Sequence, residues 1–220
     1  MATRMSPQQR RAAIVDAART VMLRKGMATT TVRDVAAEMG TSSGLIHHYF
    51  PSMDEVLAAA FDQAASEDLE STKAALRRCE DPPEELAAFF AGYGRADQDW
   101  AFQLWLDAWA EASRRPAVQA TSRRLNVAWQ HLLASIIRRG CSSRHFRTDD
   151  ADAAAWRILS LLDGLSLQAV AHGALIDRAA VMAWSAISAE RELGLAPDSL
   201  VRAVRATSGE TSGPGDRSER

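Results

Sequence analysis

Apolar residues recur every three or four positions along most of this chain, a spacing that places them on one face of an α-helix. Ala and Leu dominate the composition and runs of β-branched residues are scarce, which also favours helix over strand. The pattern predicts an all-α protein with about nine helices, at roughly residues 7–25, 32–39, 43–50, 53–78, 84–93, 97–113, 118–139, 150–171 and 178–193.

Residues that favour helix ends set several of these boundaries. Ser6 and Gln9 have the spacing of a capping box at the start of the first helix. Gly140 follows a long amphipathic segment, and glycine readily adopts the left-handed conformation that ends a helix. We therefore expect Gly140 to end the helix at 118–139, and residues 141–148 to form a loop.

The stretch from Thr31 to Phe50 predicts two short helices joined by a tight turn. Thr31 is placed to cap the first helix and Gly40 to end it. Thr41 and Ser42 can each cap the second helix. A short exposed helix after such a turn has the shape that enters the major groove of DNA.

The second of these helices has an apolar side and a polar side. The residues expected to be buried are Leu45, Ile46 and Phe50. The polar or mixed side chains near the exposed side are Ser43, His47, His48 and Tyr49. The same period and caps also fit an ordinary helical hairpin inside an all-helical protein, and the pattern alone leaves both interpretations open.

These residues also carry a family resemblance. The run TTTVRDVAAEMGTSSGLIHHYFPSMDEVL, at 29–57, resembles the N-terminal DNA-binding domain of TetR-family transcriptional regulators. The resemblance covers about residues 7–57 and implies a three-helix, helix-turn-helix domain. Two positions depart from the family pattern: His47 stands where many members have tyrosine, and Met53 where most have a lysine that reaches a phosphate.

The pattern and the resemblance together name the residues expected to contact double-stranded operator DNA. Base edges are assigned to Ser43, Leu45 and His48. Phosphates are assigned to Thr31 and to the N-termini of both short helices, and His47 and Tyr49 to either. The full candidate set is Thr31, Thr41, Ser42, Ser43, Gly44, Leu45, His47, His48 and Tyr49.

The charge distribution supports a nucleic-acid partner at one end of the chain. The net charge is −2, yet residues 1–50 contain seven basic and three acidic side chains and so carry +4, which leaves −6 on the remainder. A basic N-terminal module on an acidic body suits phosphate binding at that end, although chance also produces a difference of this size.

A second, shorter resemblance lies in the body of the chain. The run LWLDAWAEASRRP, at 104–116, is similar to the C-terminal domain of BetI-type regulators in the same family. That resemblance implies a homodimer and a choline-like effector. Residues 151–171 and 178–193 are rich in small side chains and resemble the family's dimer interface, unless they only close the monomer core.

The six tryptophans all lie outside the predicted DNA-binding domain. Asp107 lies two turns after Trp100, and Asp163, in the apolar run ILSLLDGLSL, lies two turns after Trp156. Aromatic faces with a carboxylate suit a cationic amine or quaternary ammonium ligand. Core packing of the tryptophans and an ion pair of Asp163 with an arginine are the alternatives. The candidate ligand-binding residues are Trp100, Gln103, Asp107, Trp129, Trp156 and Asp163.

The sequence contains no motif that indicates catalysis. The chain has no GxSxG, HExxH, Walker or dinucleotide-binding motif, so we expect neither an enzyme nor a cofactor. Cys79 and Cys141 are isolated and have no partners at metal-binding spacing. The absence of a signal peptide and of an apolar run of membrane-spanning length predicts a cytoplasmic protein without a membrane partner.

We divide the chain into a helix-turn-helix domain at 1–51, a larger helical ligand-binding and dimerisation domain at 52–205, and a tail at 206–220 with a composition typical of disorder. The predicted function is that of a dimeric repressor that binds a palindromic operator and is released by a small molecule. The alternatives are a helical enzyme or small-molecule-binding protein without specific DNA binding, and a regulator whose body only dimerises.

Overall fold

A computed structural model describes residues 5–95, 99–172 and 176–207. These residues form ten helices and no strand, and the all-α prediction is confirmed. The helices are α1 Pro7–Lys25, α2 Val32–Glu38, α3 Ser43–Tyr49, α4 Met53–Leu76, α5 Pro82–Tyr93, α6 Asp99–Ala112, α7 Pro116–Ser142, α8 Ala151–His172, α9 Arg178–Glu192 and α10 Ser199–Thr207. The predicted helix start at residue 97 and all but two residues of the predicted tail lie outside the described residues.

The first helix begins and ends where the sequence predicts. The Ser6 hydroxyl accepts a hydrogen bond from the Gln9 N–H at 3.2 Å, and the Gln9 side chain accepts one from the Ser6 N–H at 2.8 Å. Gly26 ends α1 with a φ of +86°. The buried residues of α1 recur every three or four positions and are Ile14, Ala17, Ala18, Val21 and Met22.

The turn between α2 and α3 closes as a Schellman motif. The Thr41 N–H donates to the Ala36 carbonyl at 2.9 Å, and the Gly40 N–H donates to the Ala37 carbonyl at 3.1 Å. Gly40 has a φ of +62°, a conformation that side chains with a Cβ rarely adopt. The motif therefore ends α2 at the predicted glycine and starts α3 within three residues.

The prediction that Gly140 ends a helix is wrong. α7 continues to Ser142, and Gly140 is buried in its last turns. The ring of Phe146 folds back over this glycine, so that a Cβ built on Gly140 would overlap the ring. Gly140 thus lacks a side chain because the Phe146 ring occupies that space, and not because the helix ends there.

We expect Gly140→Ala to lower the free energy of unfolding by about 1–3 kcal/mol, the usual effect of overpacking a filled core. Gly92→Ala in α5 is the matched control, since a Cβ there meets nothing within 4 Å. The control should gain up to about 1 kcal/mol from helix propensity. Urea unfolding followed by circular dichroism measures both variants, and equal stabilities would mean that Phe146 moves aside without cost.

The described residues up to Ser71 pack with Trp100–Trp129 as one compact unit. This first unit contains α1–α3, most of α4, α6 and the first half of α7, around a shared core. Phe61 of α4 is fully buried and meets Trp105 of α6 edge-on, with ring centroids 5.1 Å apart. α4 and α6 pack with the helix-turn-helix in this unit, and a functional boundary after residue 51 stays a prediction.

The second unit comprises Thr72–Asp99 and the described residues from Gln130 onwards. It contains α5, α8, α9 and α10 with the ends of α4 and α7. The sequence pattern did not predict α10, a helix of nine residues with only two buried side chains, Leu200 and Val204. α10 packs against α5 and α9.

A carboxylate from α9 binds the N-terminus of α10. Glu190 is buried and accepts hydrogen bonds from the backbone N–H groups of Asp198 at 2.9 Å, Leu200 at 2.8 Å and Val201 at 3.2 Å. The first N–H groups of a helix have no acceptor within the helix itself. The Glu190 carboxylate supplies the acceptor that these N–H groups would otherwise lack.

In the part of the chain that the structure describes, no helix combines the length and the hydropathy needed to cross a membrane. Cys79 and Cys141 are both free thiols. Among the same residues, no three metal-ligating side chains lie together.

Candidate functional site

α3 turns one side to the core of the first unit and the other to solvent. Ile46 and Phe50 are buried, as the sequence predicts, and they anchor the helix, whereas Leu45, also expected to be buried, is half-buried. The exposed candidates are Ser42, Gly44, His47 and His48, and the half-buried ones are Thr41, Ser43, Leu45 and Tyr49. The structure therefore brings eight of the nine predicted DNA-contacting residues together on α3 and the turn before it.

Ser42 occupies the N-cap position of α3, but its hydroxyl makes no capping hydrogen bond. Its carbonyl accepts from the Leu45 N–H at 3.1 Å. Gly44 in the first turn is exposed, and its missing side chain leaves the backbone open to close approach. The start of α3 thus presents a hydroxyl and backbone groups that can bind a phosphate oxygen.

Thr31, the ninth candidate, caps α2 with both of its polar groups. Its N–H donates to the Asp34 carboxylate at 2.8 Å, and its hydroxyl donates to the same oxygen. Hydrogen bonds from Lys25, at 2.7 Å, and from Thr31 hold the pKa of Asp34 well below its usual range. The Thr31 hydroxyl proton is already donated, so a phosphate contact by this group requires it to change partner.

Aromatic contacts fix the end of α3. Tyr49 is half-buried against the core, and the His48 ring stands edge-on to it with centroids 5.1 Å apart. On α1, the Arg11 guanidinium lies 4.0 Å from the centroid of the Phe50 ring. This cation–π contact ties α1 to the residue that ends the exposed helix.

The two departures from the family pattern differ in exposure. His47 is exposed on α3, and its ring nitrogens can still reach a phosphate or a base. Met53 begins α4, is half-buried and packs against the core of the first unit. A methionine has no hydrogen-bond donor, so this side chain cannot donate to a phosphate.

Four of the candidate ligand-binding residues lie in the first unit, namely Trp100, Gln103, Asp107 and Trp129. Trp129 is buried and Trp100 is half-buried. Asp107 accepts a hydrogen bond from the Met27 N–H at 2.8 Å through Oδ2, and from the Gln103 amide at 3.0 Å through Oδ1. Both carboxylate oxygens of Asp107 are therefore engaged by the protein itself.

The other two candidates, Trp156 and Asp163, lie on α8 in the second unit. Trp156 is 39% exposed. Asp163 is half-buried, and the Tyr93 hydroxyl of α5 donates a hydrogen bond to its Oδ1 at 3.2 Å. Burial raises the pKa of Asp163 to about 7, although the bond from Tyr93 acts in the opposite direction.

Sequence reasoning missed Tyr93, the hydrogen-bond partner of Asp163, and Phe89, which packs against Tyr93. Phe89 and Tyr93 lie one turn apart on α5, with ring centroids 5.4 Å apart. Their spacing of four residues placed them on one helix face, but it gave no sign of which carboxylate Tyr93 would meet. Asp68 of α4 was also missed; it is half-buried, and burial raises its pKa.

Two segments of the chain match known protein families. Residues 14–60 match the family described as bacterial regulatory proteins, tetR family. Residues 82–194 match the family described as BetI-type transcriptional repressor, C-terminal. The first segment spans most of α1, the whole of α2 and α3 and the beginning of α4, and the second spans α5–α9.

Relatives similar in sequence match most of the chain. The HTH-type transcriptional regulator BetI of Rhizobium meliloti strain 1021 is 31% identical over 161 residues, which are 72% of this chain and 77% of that protein. The regulator of the same name from Agrobacterium fabrum strain C58 is 32% identical, over 72% of this chain and 76% of its own.

Solved structures share the fold. A transcriptional regulator from Saccharomonospora viridis, crystallised in complex with choline, aligns with a TM-score of 0.71 and 25% identity over 80% of this chain and 92% of its own. A TetR transcription regulator from Haloarcula marismortui aligns with a TM-score of 0.73 and 20% identity over 84% and 99% of the two chains.

Proposed function

This chain belongs to the TetR family of transcriptional regulators, in its BetI-type branch, and we propose that it acts as a homodimeric repressor that a small cationic molecule releases from a palindromic operator. DNA binding and regulation of transcription follow from the family. Its relatives are regulators and not enzymes, which sets aside the alternative of an enzyme with no DNA role. The protein works in the cytoplasm, where the operator DNA lies.

The exposed side of α3 is the observation that supports the mode of DNA recognition. We assign Ser43, Leu45 and His48 to base edges in the major groove. We assign phosphate contacts to Thr41, to the backbone at Gly44 and to the Ser42 hydroxyl, which makes no capping hydrogen bond. The remaining members of the proposed surface are Thr31, His47 and Tyr49.

Exposed tryptophans on α8 and α9 support the homodimer. Trp156 is 39% exposed and Trp184 is 52% exposed, and soluble proteins rarely leave such apolar area uncovered. Ser160 and Gly164 follow Trp156 at intervals of four residues and are exposed as well. This stripe of small residues beside the tryptophans suits helix-to-helix packing between two subunits, and we therefore assign Trp156 to the dimer surface and not to the ligand site.

The effector proposal rests on the second unit. Asp163 is a half-buried carboxylate that accepts a hydrogen bond from Tyr93, and the Tyr93 ring packs against that of Phe89. A carboxylate near aromatic faces is the combination that binds quaternary ammonium groups. The regulator from Saccharomonospora viridis was crystallised with choline, and a choline-like cation is the ligand we assign to this chain. Trp100, Gln103 and Trp129 lie in the first unit, and their assignment as ligand contacts stays a separate prediction from the sequence.

Fluorescence anisotropy tests the proposal directly. The purified protein is titrated against the DNA upstream of its own gene and against unrelated DNA, over a range of salt concentrations. Salt-dependent binding that prefers the upstream DNA, and that choline weakens, is the expected result. If neither the upstream DNA nor a duplex selected from random sequences binds better than the control, the proposed recognition fails.

We expect Tyr49→Ala to weaken operator binding by roughly tenfold, the loss of one hydrogen bond to a charged phosphate. Tyr49→Phe is the control, because it keeps the packing of the ring and removes only the hydroxyl. If the hydroxyl binds phosphate, both variants lose affinity; if only the ring matters, the phenylalanine variant binds as the wild type does. An operator affinity that stays unchanged in Tyr49→Ala removes this residue from the interface.

A further inference from the structure

We propose that Asp107 of α6 is a positioning residue for DNA recognition, because its carboxylate holds the link between α1 and α2 and so sets the orientation of the recognition helix α3. The contact is part of the first unit, and it joins residues 80 positions apart in the chain. The DNA-binding part of the proposal rests on the proposed function; the contact itself does not.

The link runs from Gly26 to Thr31. Its buried Met27 N–H has its acceptor neither in α1 nor in the link itself. Met27 is fully buried, and its N–H donates to Asp107 Oδ2 at 2.8 Å. Within the link, the Thr30 hydroxyl donates to the Gly26 carbonyl at 2.7 Å, and the Thr30 N–H donates to the Met27 carbonyl at 3.3 Å. The Met27 N–H therefore depends on an acceptor that comes from α6.

Gly26 makes room for this carboxylate. Its φ of +86° disfavours any side chain, and a Cβ built on it would lie 3.2 Å from Asp107 Oδ2. The glycine that ends α1 thus also admits the oxygen that receives the next N–H in the chain. Glycine therefore suits position 26 for two reasons: it adopts the positive φ, and it leaves space for the Asp107 carboxylate.

α6 cannot move away from the link without breaking this bond. Leu104 and Ala108, on the same side of α6 as Asp107, are buried in the core that α1–α4 share. The Gln103 amide donates to Asp107 Oδ1 at 3.0 Å and holds the carboxylate in its orientation. A hydrogen bond between a buried N–H and a charged acceptor costs more to lose than an ordinary one.

The position of the link determines the position of the helix-turn-helix. α2 begins directly after it with Thr31, and Lys25 at the end of α1 binds the Asp34 carboxylate of α2 at 2.7 Å. α3 follows α2 through the Schellman turn at Gly40 and Thr41. A shift of the link therefore moves α2 and α3 together relative to α1, and two recognition helices must match the spacing of an operator.

The test compares three full-length variants with the wild-type protein. Asp107→Ala removes the acceptor, whereas Asp107→Asn keeps a carbonyl oxygen that can receive the Met27 N–H. Asp62→Ala is the control for charge, since it removes a carboxylate of the same unit that pairs with Arg124. Each variant is measured by amide hydrogen exchange at Met27, by thermal unfolding, and by anisotropy against an operator selected by the wild-type protein and against unrelated DNA.

In Asp107→Ala, exchange at the Met27 amide should speed up by roughly ten- to a hundredfold, and operator affinity should fall by roughly tenfold while affinity for unrelated DNA stays constant. Asp107→Asn and Asp62→Ala should resemble the wild type in both respects. Unchanged operator affinity in Asp107→Ala, or an equal fall in affinity for both DNAs, overturns the positioning role. If the wild-type protein selects no operator, the proposed function and the positioning role fail together, and exchange at Met27 alone then decides whether the contact exists.

Discussion

Gly164→Arg should convert the homodimer into a folded monomer and lower operator affinity by about a hundredfold or more, since two linked recognition helices bind far more tightly than one. Gly164 is exposed on α8, and a Cβ built on it meets nothing within 4 Å. The arginine therefore has room in the single subunit. At a helix-packed interface between two subunits, the same side chain introduces bulk and an unpaired charge where small residues are needed.

The matched control is Gly92→Arg in α5, because its Cβ also meets nothing within 4 Å. Both variants add the same charge, and so they change non-specific DNA binding to the same degree. Light scattering after size exclusion measures the mass, and anisotropy measures operator affinity. A Gly164→Arg protein that stays dimeric would move the interface away from this side of α8.

The second large effect is expected at Asp163. Asp163→Asn should weaken choline binding at pH 8 by at least about tenfold, because the amide keeps the shape of the side chain and removes the negative charge. The neutral isostere 3,3-dimethyl-1-butanol should bind the wild-type and variant proteins equally weakly. Isothermal titration of both ligands into both proteins measures the difference. Equal choline affinities would return Asp163 to a structural role.

Because the pKa of Asp163 is raised, we expect choline affinity to depend on pH. With a pKa of about 7, the carboxylate is protonated below that pH, and a cation must then displace the proton. Choline affinity of the wild type should fall by about tenfold for each pH unit below 7, whereas that of Asp163→Asn should stay flat over the same range. Asp68→Asn, which removes another half-buried carboxylate, should keep the wild-type profile.

Stability without ligand follows from the same shift. The pKa of Asp163 in the folded protein lies above its unfolded value near 3.8, so the folded state binds more protons between pH 4 and pH 7. The contribution of Asp163 to the free energy of unfolding therefore falls as pH rises through that window and levels off above it. Asp163→Asn should escape this loss, on the order of 4 kcal/mol at pH 8, in parallel urea unfolding experiments.

Local chemistry explains which features the sequence predicted well. The capping box of Ser6 and Gln9 and the glycine at Gly40 depend on residues within a few positions of each other, and both occur in the structure. The recognition helix was also found from local pattern, because an exposed helix keeps its polar residues on one side. The nine helices inferred from the period are all present, with shifted ends.

Contacts between distant residues explain what the sequence did not predict. Gly140 was read as a helix end because its real neighbour, Phe146, folds back from beyond the helix. The sequence did not predict that Asp107 accepts from the Met27 N–H, because nothing in its own helix signals that partner. The Asp163 pairing with Tyr93 spans 70 residues. In each case the sequence pointed to the residue, but its partner is known only from the fold.

The contact of Glu190 with α10 bears on where this protein can be shortened or fused. The match to the BetI-type family ends at residue 194, before α10 begins. A fragment that ended there would delete the three N–H donors that bind Glu190 and leave a carboxylate without partners where α10 had covered it. A tag or fusion partner therefore belongs after Thr207, because the folded body extends past the point at which sequence similarity stops.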